Sequence, residues 1–103
     1  MGIYSASKGA MLAFTKAAAI DLAQYCIRVN AVAPGMTRTP LYEEWLASLD
    51  DPAAEAERVA SAIPLGRIAS PGDVAATVAF LASDAAAYLT GVSIPVDGGY
   101  LAK

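Results

Sequence analysis

Two stretches read as β-strands, "IRVNAVAPG" from Ile27 and "VSIPVDGG" from Val92, and roughly 60 residues of helix-forming sequence separate them. Strands joined through intervening helices pair in parallel by a crossover connection. Two parallel strands do not make a stable sheet by themselves; they belong in larger sheets with helices on both faces. The first strand, rich in Ile27, Val29 and Val32, is expected to be buried, and without a further neighbour its edge would expose unpaired backbone groups. The pattern therefore predicts part of an α/β arrangement, mostly helical with two strands, in which a neighbouring strand comes from outside these residues.

The segments between and before the strands are helical by composition and spacing. From Tyr4 to about Gln24 the chain is rich in alanine and unbranched residues, with Met11, Phe14, Ala18 and Leu22 three or four apart. Its other faces carry Ala10, Ala13, Ala17 and Ala19 in place of a charged stripe, so this helix is expected to be contacted on more than one side. It should stop at Tyr25–Cys26. Cys26 is expected to be a small buried residue, and a left-handed cap at that position would cost on the order of 1 kcal/mol relative to glycine. Residues 40–63 read as two short helices broken at Asp51–Pro52, with Leu41, Tyr42, Trp45, Leu46 and Leu49 on one apolar face. A further helix is capped by Ser70, with Pro71 at its first position and Asp73 near its positive end. The terminal strand, Val92 to Val96, is bounded by Gly91 and the Gly98–Gly99 pair.

Composition narrows the chemistry. A chain of 103 residues, 56% hydrophobic and 17% charged, suits one packed domain or a piece of one. The formal charge of −3 and singly scattered Lys and Arg give no basic stripe, so nucleic acid is excluded as an expected partner. No apolar run approaches the roughly 20 residues that span a bilayer, and no leader pattern opens the chain; the expectation is a cytoplasmic protein without membrane attachment. One cysteine and no histidine exclude an internal disulfide, Cys-His nucleophilic chemistry and the usual zinc ligand sets, so no metal is expected.

That leaves Tyr, Lys, Ser, Thr and carboxylates. Tyr4 and Lys8, in "YSASK", share one face of the first helix. A free phenol titrates near pH 10, so it is a poor base at neutrality unless a nearby cation stabilises the phenolate. Lys8 can supply that charge, and the phenol can then exchange a proton with a substrate alcohol or carbonyl. The spacing alone arises readily by chance, and its bland reading is a half-buried helical Tyr. Ser5 and Ser7 read as helix-start hydroxyls, since no base accompanies them.

The order of features is more specific than any one of them. "YSASK" opening an Ala-rich helix is followed by "RVNAVAPGMTRTP", "PLGRIASPGDVAATVAFLASDAAAYLTG" and "VDGG". This resembles the C-terminal part of the short-chain dehydrogenase/reductase family, from Tyr4 to Tyr100. The resemblance implies the C-terminal portion of a Rossmann-type, doubly wound parallel sheet and an oxidoreductase moving hydride between NAD or NADP and an alcohol or carbonyl substrate. By the same resemblance Tyr4 matches the catalytic general acid or base. Lys8 matches the lysine that stabilises the phenolate and bonds the nicotinamide ribose. Pro34 and Gly35 match the turn against the nicotinamide, and a glycine lets backbone approach a cofactor closely. Thr37 and Thr39 fall where the family's loop meets the carboxamide and phosphates. Leu41, Tyr42 and Trp45 lie in the substrate loop, where the alternative is simple helix packing. Asn30 and Asp97 match positions that hold the strand and the terminal turn.

The family's glycine-rich phosphate-binding turn, its Asn-Ala-Gly segment and the Ser preceding the Tyr have no counterpart in these residues. The 103 residues therefore look like the last two fifths of a single NAD(P)-binding domain, with doubtful activity as an isolated chain. In full-length form the family resemblance implies a homo-oligomer, a dimer or tetramer. The rival expectation is a non-catalytic, truncated or relic domain that serves only packing or subunit association.

Overall fold

The computed structural model covers residues 1–103. Its elements run α1 (Gly2–Leu22), β1 (Ala31–Pro34), α2 (Pro40–Ala47), α3 (Pro52–Ser61), α4 (Pro71–Ala82) and β2 (Ser93–Val96), with short 3-10 turns at Ala23–Tyr25, Asp84–Ala86 and Tyr100–Ala102. The two strands form one two-stranded sheet. Its pairing is parallel, since Ala31 N–H donates to Val92 O and Gly35 N–H to Val96 O, both at 2.9 Å and in constant register. The expected α/β class and crossover are therefore present. The residues divide into two compact units, residues 1–32 with 78–94, and residues 33–77 with 95–103.

In the first unit α1 is long because nothing in its sequence interrupts it, and it ends where expected. Cys26 adopts φ 58° and ψ 30°, the left-handed conformation, with its N–H donating to Ala23 O. Contrary to expectation Cys26 is exposed, because this capping turn lies at the surface. Replacing it by glycine relieves the left-handed strain but frees the unfolded chain, so in the full-length protein Cys26→Gly is expected to stabilise the fold by about 0.5–1 kcal/mol, read as a raised chemical-denaturation midpoint.

The packed side of α1 differs from the expected stripe. Thr15 and Ala19 are its buried residues, one turn apart, whereas Met11 and Phe14 are 63% and 67% exposed. The reason is close approach: a Cβ built on Gly91 would stand 3.4 Å from the Ala19 Cβ, a spacing only small residues allow. Contact on more than one side is not met within these residues. β1 is also shorter and less buried than the predicted strand. Side chains replace ladder partners before it: Val29 N–H donates to Thr90 Oγ1 at 3.1 Å, and Asn30 donates to Leu89 O at 2.9 Å while accepting from Val92 N–H at 3.2 Å. Its residues Ala31–Ala33 are only half-buried, because β2 alone pairs with β1 and its other edge has no strand beside it.

In the second unit the Asp51–Pro52 break separates α2 from α3 as expected, with the Asp51 carboxylate capping Ala54 N–H at 3.1 Å. Tyr42, Val59 and Ile63 form the core of this unit. The apolar face of α2 is covered only in part: Tyr42 is buried and Leu46 and Leu49 are half-buried, but Leu41 is 75% and Trp45 42% exposed. A single neighbouring helix, α3, cannot cover the whole stripe.

Candidate active site

The Tyr4–Lys8 pair sits in the first turns of α1. Ser5 N–H donates to Met1 O at 2.9 Å, and the Ser7 hydroxyl donates to Tyr4 O at 2.7 Å, so Ser7 is committed to the helix backbone. Tyr4 is 61% exposed. The Lys8 ammonium lies over its ring, 5.4 Å from the centroid, a cation–π distance. Lys8 makes no salt bridge, so its charge is not neutralised by a carboxylate. Tyr4 is thus more exposed than the half-buried helical tyrosine of the bland reading.

Pro34, Gly35, Thr37 and Thr39 follow one another out of β1 in the second unit. Pro34 is the last residue of the strand, and the pairing with β2 continues just past it through Gly35 N–H to Val96 O. Gly35 has a packing reason of its own: a Cβ there would stand 2.9 Å from both Cα and Cβ of Asp97. The Thr37 hydroxyl donates to Gly35 O at 2.9 Å, which leaves its oxygen free only as an acceptor. Thr39 does the reverse. Its hydroxyl oxygen accepts from Tyr42 N–H at 3.2 Å as the N-cap of α2, which leaves its hydrogen free to donate. Asn30 and Asp97 act as expected; Asp97 accepts from Gly99 N–H at 3.0 Å and from Leu101 N–H at 3.1 Å, closing the turn after β2.

Of the substrate-loop residues, Leu41 and Trp45 present exposed apolar surface, while Tyr42 is 5% exposed with its hydroxyl lacking any partner. The Tyr42 and Trp45 rings are 5.7 Å apart and tilted. Tyr42 is thus a core residue in this arrangement.

Two arginines went unnoticed in the sequence. Arg28 donates to Leu89 O and Ser83 O at 3.2 and 3.3 Å. Arg67 grips both carboxylate oxygens of Asp73, at 2.7 and 3.1 Å. Asp73 also accepts from Ser70 N–H at 2.7 Å and from the Ser70 hydroxyl at 3.1 Å, and Ser70 in turn caps Asp73 N–H at 3.2 Å. The Arg67 guanidinium, then the Ser70 donors, hold the Asp73 carboxyl well below the usual carboxylate range. The Ser70 cap is as the sequence predicts; nothing local signals Arg67.

Two parallel strands joined through intervening helices make this an α/β crossover arrangement. A family model described as Enoyl-(Acyl carrier protein) reductase matches residues 1–101. The chain is 50% identical over 96 residues to 4-formylbenzenesulfonate dehydrogenase of Comamonas testosteroni, covering 93% of this chain and 38% of that protein. A short chain dehydrogenase family protein from Francisella tularensis superposes with a TM-score of 0.90 at 41% identity, over 97% of this chain and 43% of that one. A 4-hydroxyisoleucine dehydrogenase complexed with NADH superposes with a TM-score of 0.85 at 34% identity, over 97% of this chain and 40% of that one. The chain belongs to the short-chain dehydrogenase/reductase family. It spans less than half the length of these relatives. No helix is long and apolar enough to cross a membrane.

Proposed function

We propose that these residues form the C-terminal part of an NAD- or NADP-dependent dehydrogenase acting on a small alcohol or carbonyl compound. The observation that carries this reading is the exposed Tyr4 with the unpaired Lys8 ammonium over its ring. The phenol gives a proton to a carbonyl oxygen, or takes one from an alcohol, and the positive charge beside it favours the negative charge that develops on the phenol oxygen. When bound, the nicotinamide supplies or accepts the hydride.

Each unit by itself carries groups that suit part of such a cofactor. Thr39 has a hydrogen to donate to a phosphate oxygen, and Thr37 has a lone pair to accept from a carboxamide N–H. Lys8 has donors free for a ribose hydroxyl, and Gly35 carries no side chain to obstruct a planar ring. Leu41 and Trp45 offer apolar surface to a substrate, with Tyr42 anchoring their helix. The adenine and pyrophosphate contacts belong to the rest of the family fold.

The test is a completed protein in which this chain replaces the matching segment of the Comamonas relative. Reduced-nicotinamide absorbance should then follow oxidation or reduction of that relative's substrate. A chimera that folds and binds cofactor yet turns nothing over would favour the rival reading, a non-catalytic association module, which the exposed apolar surface of α1 supports. That surface also motivates an expectation about assembly. Met11, Leu12, Phe14 and Ile20 are all between 45% and 76% exposed, and the completed protein is expected to form a dimer or tetramer through α1. Phe14→Glu or Ala13→Glu should shift it toward monomer or aggregate. A clean monomer of the unmutated completed protein by light scattering would sink this.

A further inference from the structure

The loop that carries Thr37 is not free to choose its own conformation. Arg38 N–H donates to Ala69 O at 2.8 Å and Ala69 N–H to Met36 O at 3.0 Å, a single parallel bridge that places Thr37 opposite Ala69. Ala69 is followed directly by Ser70, whose N–H and hydroxyl are both fixed by the Asp73 carboxylate, itself held in a two-point grip by Arg67. Hydrogen bonds thus link Arg67 to Asp73 and Asp73 to Ser70, the peptide bond carries the link to Ala69, and Ala69 hydrogen-bonds the backbone on either side of Thr37. An ion pair with side chains 60% and 33% exposed adds little to global stability. Its geometry is unusual for such a pair, because one carboxylate serves a guanidinium, a hydroxyl and a backbone N–H at once.

We propose that Arg67 and Asp73 are positioning residues that set the Thr37 loop for binding the nicotinamide cofactor. The pair makes no hydrogen bond to the Thr37 side chain; it acts by fixing the strand-like bridge that holds residues 36–38. The proposal rests on the cofactor reading of that loop, so its test separates the two.

In the completed protein, Asp73→Asn and Arg67→Met are compared with wild type by amide hydrogen exchange and by steady-state kinetics. Arg67→Met leaves the Asp73–Ser70 cap intact and removes only its anchor. Exchange in the segments containing residues 36–38 and Ala69 should rise about tenfold, with α3 around the buried Val59 unchanged. The cofactor KM should rise about tenfold while kcat at saturation stays within about twofold, since a displaced binding loop weakens binding without touching the proton donor. The double variant should be no worse than the stronger single one, because both act on one chain of contacts. Unchanged exchange at 36–38, or equal acceleration in α3, overturns the positioning role and leaves the loop's cofactor contact standing. Faster exchange with an unchanged cofactor KM, in these variants and in Thr37→Val alike, overturns the cofactor reading of the loop and the positioning role with it. A fall in kcat with KM unchanged also overturns the proposal.

Discussion

Tyr4→Phe is expected to lower kcat of the completed protein by about 100-fold or more while leaving cofactor affinity and folding intact. The substitution removes one oxygen from a side chain that is 61% exposed, so little packing is lost. The chain has no histidine, and the Ser7 hydroxyl is occupied by the Tyr4 carbonyl. Lys8→Met belongs to the same expectation with a different signature: it removes the cation over the Tyr4 ring and a donor for the cofactor, so it should raise the cofactor KM as well as lower kcat. Steady-state kinetics with direct cofactor titration distinguish the two. Near wild-type turnover in both variants would take the pair out of the mechanism.

What made these residues legible was local. The alanine-rich run fixes α1, the prolines at 40, 52 and 71 open α2, α3 and α4, and positive-φ glycines bound β2 at 91, 98 and 99. The Tyr-Lys spacing follows from helix geometry alone. What escaped depends on residues far apart in sequence. Periodicity ranks Met11 and Phe14 with Ala18 and Leu22, but the packed line runs through Thr15 and Ala19 because Gly91 is what α1 meets. The early end of the ladder at Asn30 reflects a side-chain amide bonding across to Leu89 and Val92, which no strand propensity encodes. Gly35 was read through a cofactor's needs, whereas the approach seen here is to Asp97. Arg67 and Asp73 are six residues apart across a turn, where neither helix nor strand spacing predicts a meeting.

Asp73 also shows why the positioning network should be insensitive to ordinary pH changes. Its folded-state value lies below the unfolded one, so its contribution is complete above the usual carboxylate range of about pH 4 and is lost only as pH falls toward the folded value. Between about pH 5 and 8 the bridge to Thr37 should hold, and any pH dependence of turnover there must come from other groups.

Residues 1–103 alone are expected neither to bind NAD(H) or NADP(H) stoichiometrically at micromolar concentration nor to unfold cooperatively. The energetic side of this is visible in the surface. The chain exposes 7262 Å², against about 5,400 Å² for a compact monomer of its mass. No large side chain is fully buried, while Ile3, Phe14, Ile20, Leu41, Leu65 and Leu101 are each more than 60% exposed. With so few buried side chains, hydrophobic stabilisation is small against the conformational entropy of ordering the backbone. The open edge of the two-stranded sheet adds a route to self-pairing and aggregation. Binding is expected to fall short for a separate reason: in the proposed reading Lys8, Gly35, Thr37 and Thr39 serve only the nicotinamide end of a dinucleotide, and these residues hold no glycine-rich turn at a helix N-terminus for the pyrophosphate. Isothermal titration and thermal denaturation of the chain measure the two shortages separately. A stoichiometric micromolar heat together with a single sharp unfolding transition would show that these residues make a self-sufficient cofactor-binding unit, and the need for the rest of the family fold would have to be abandoned.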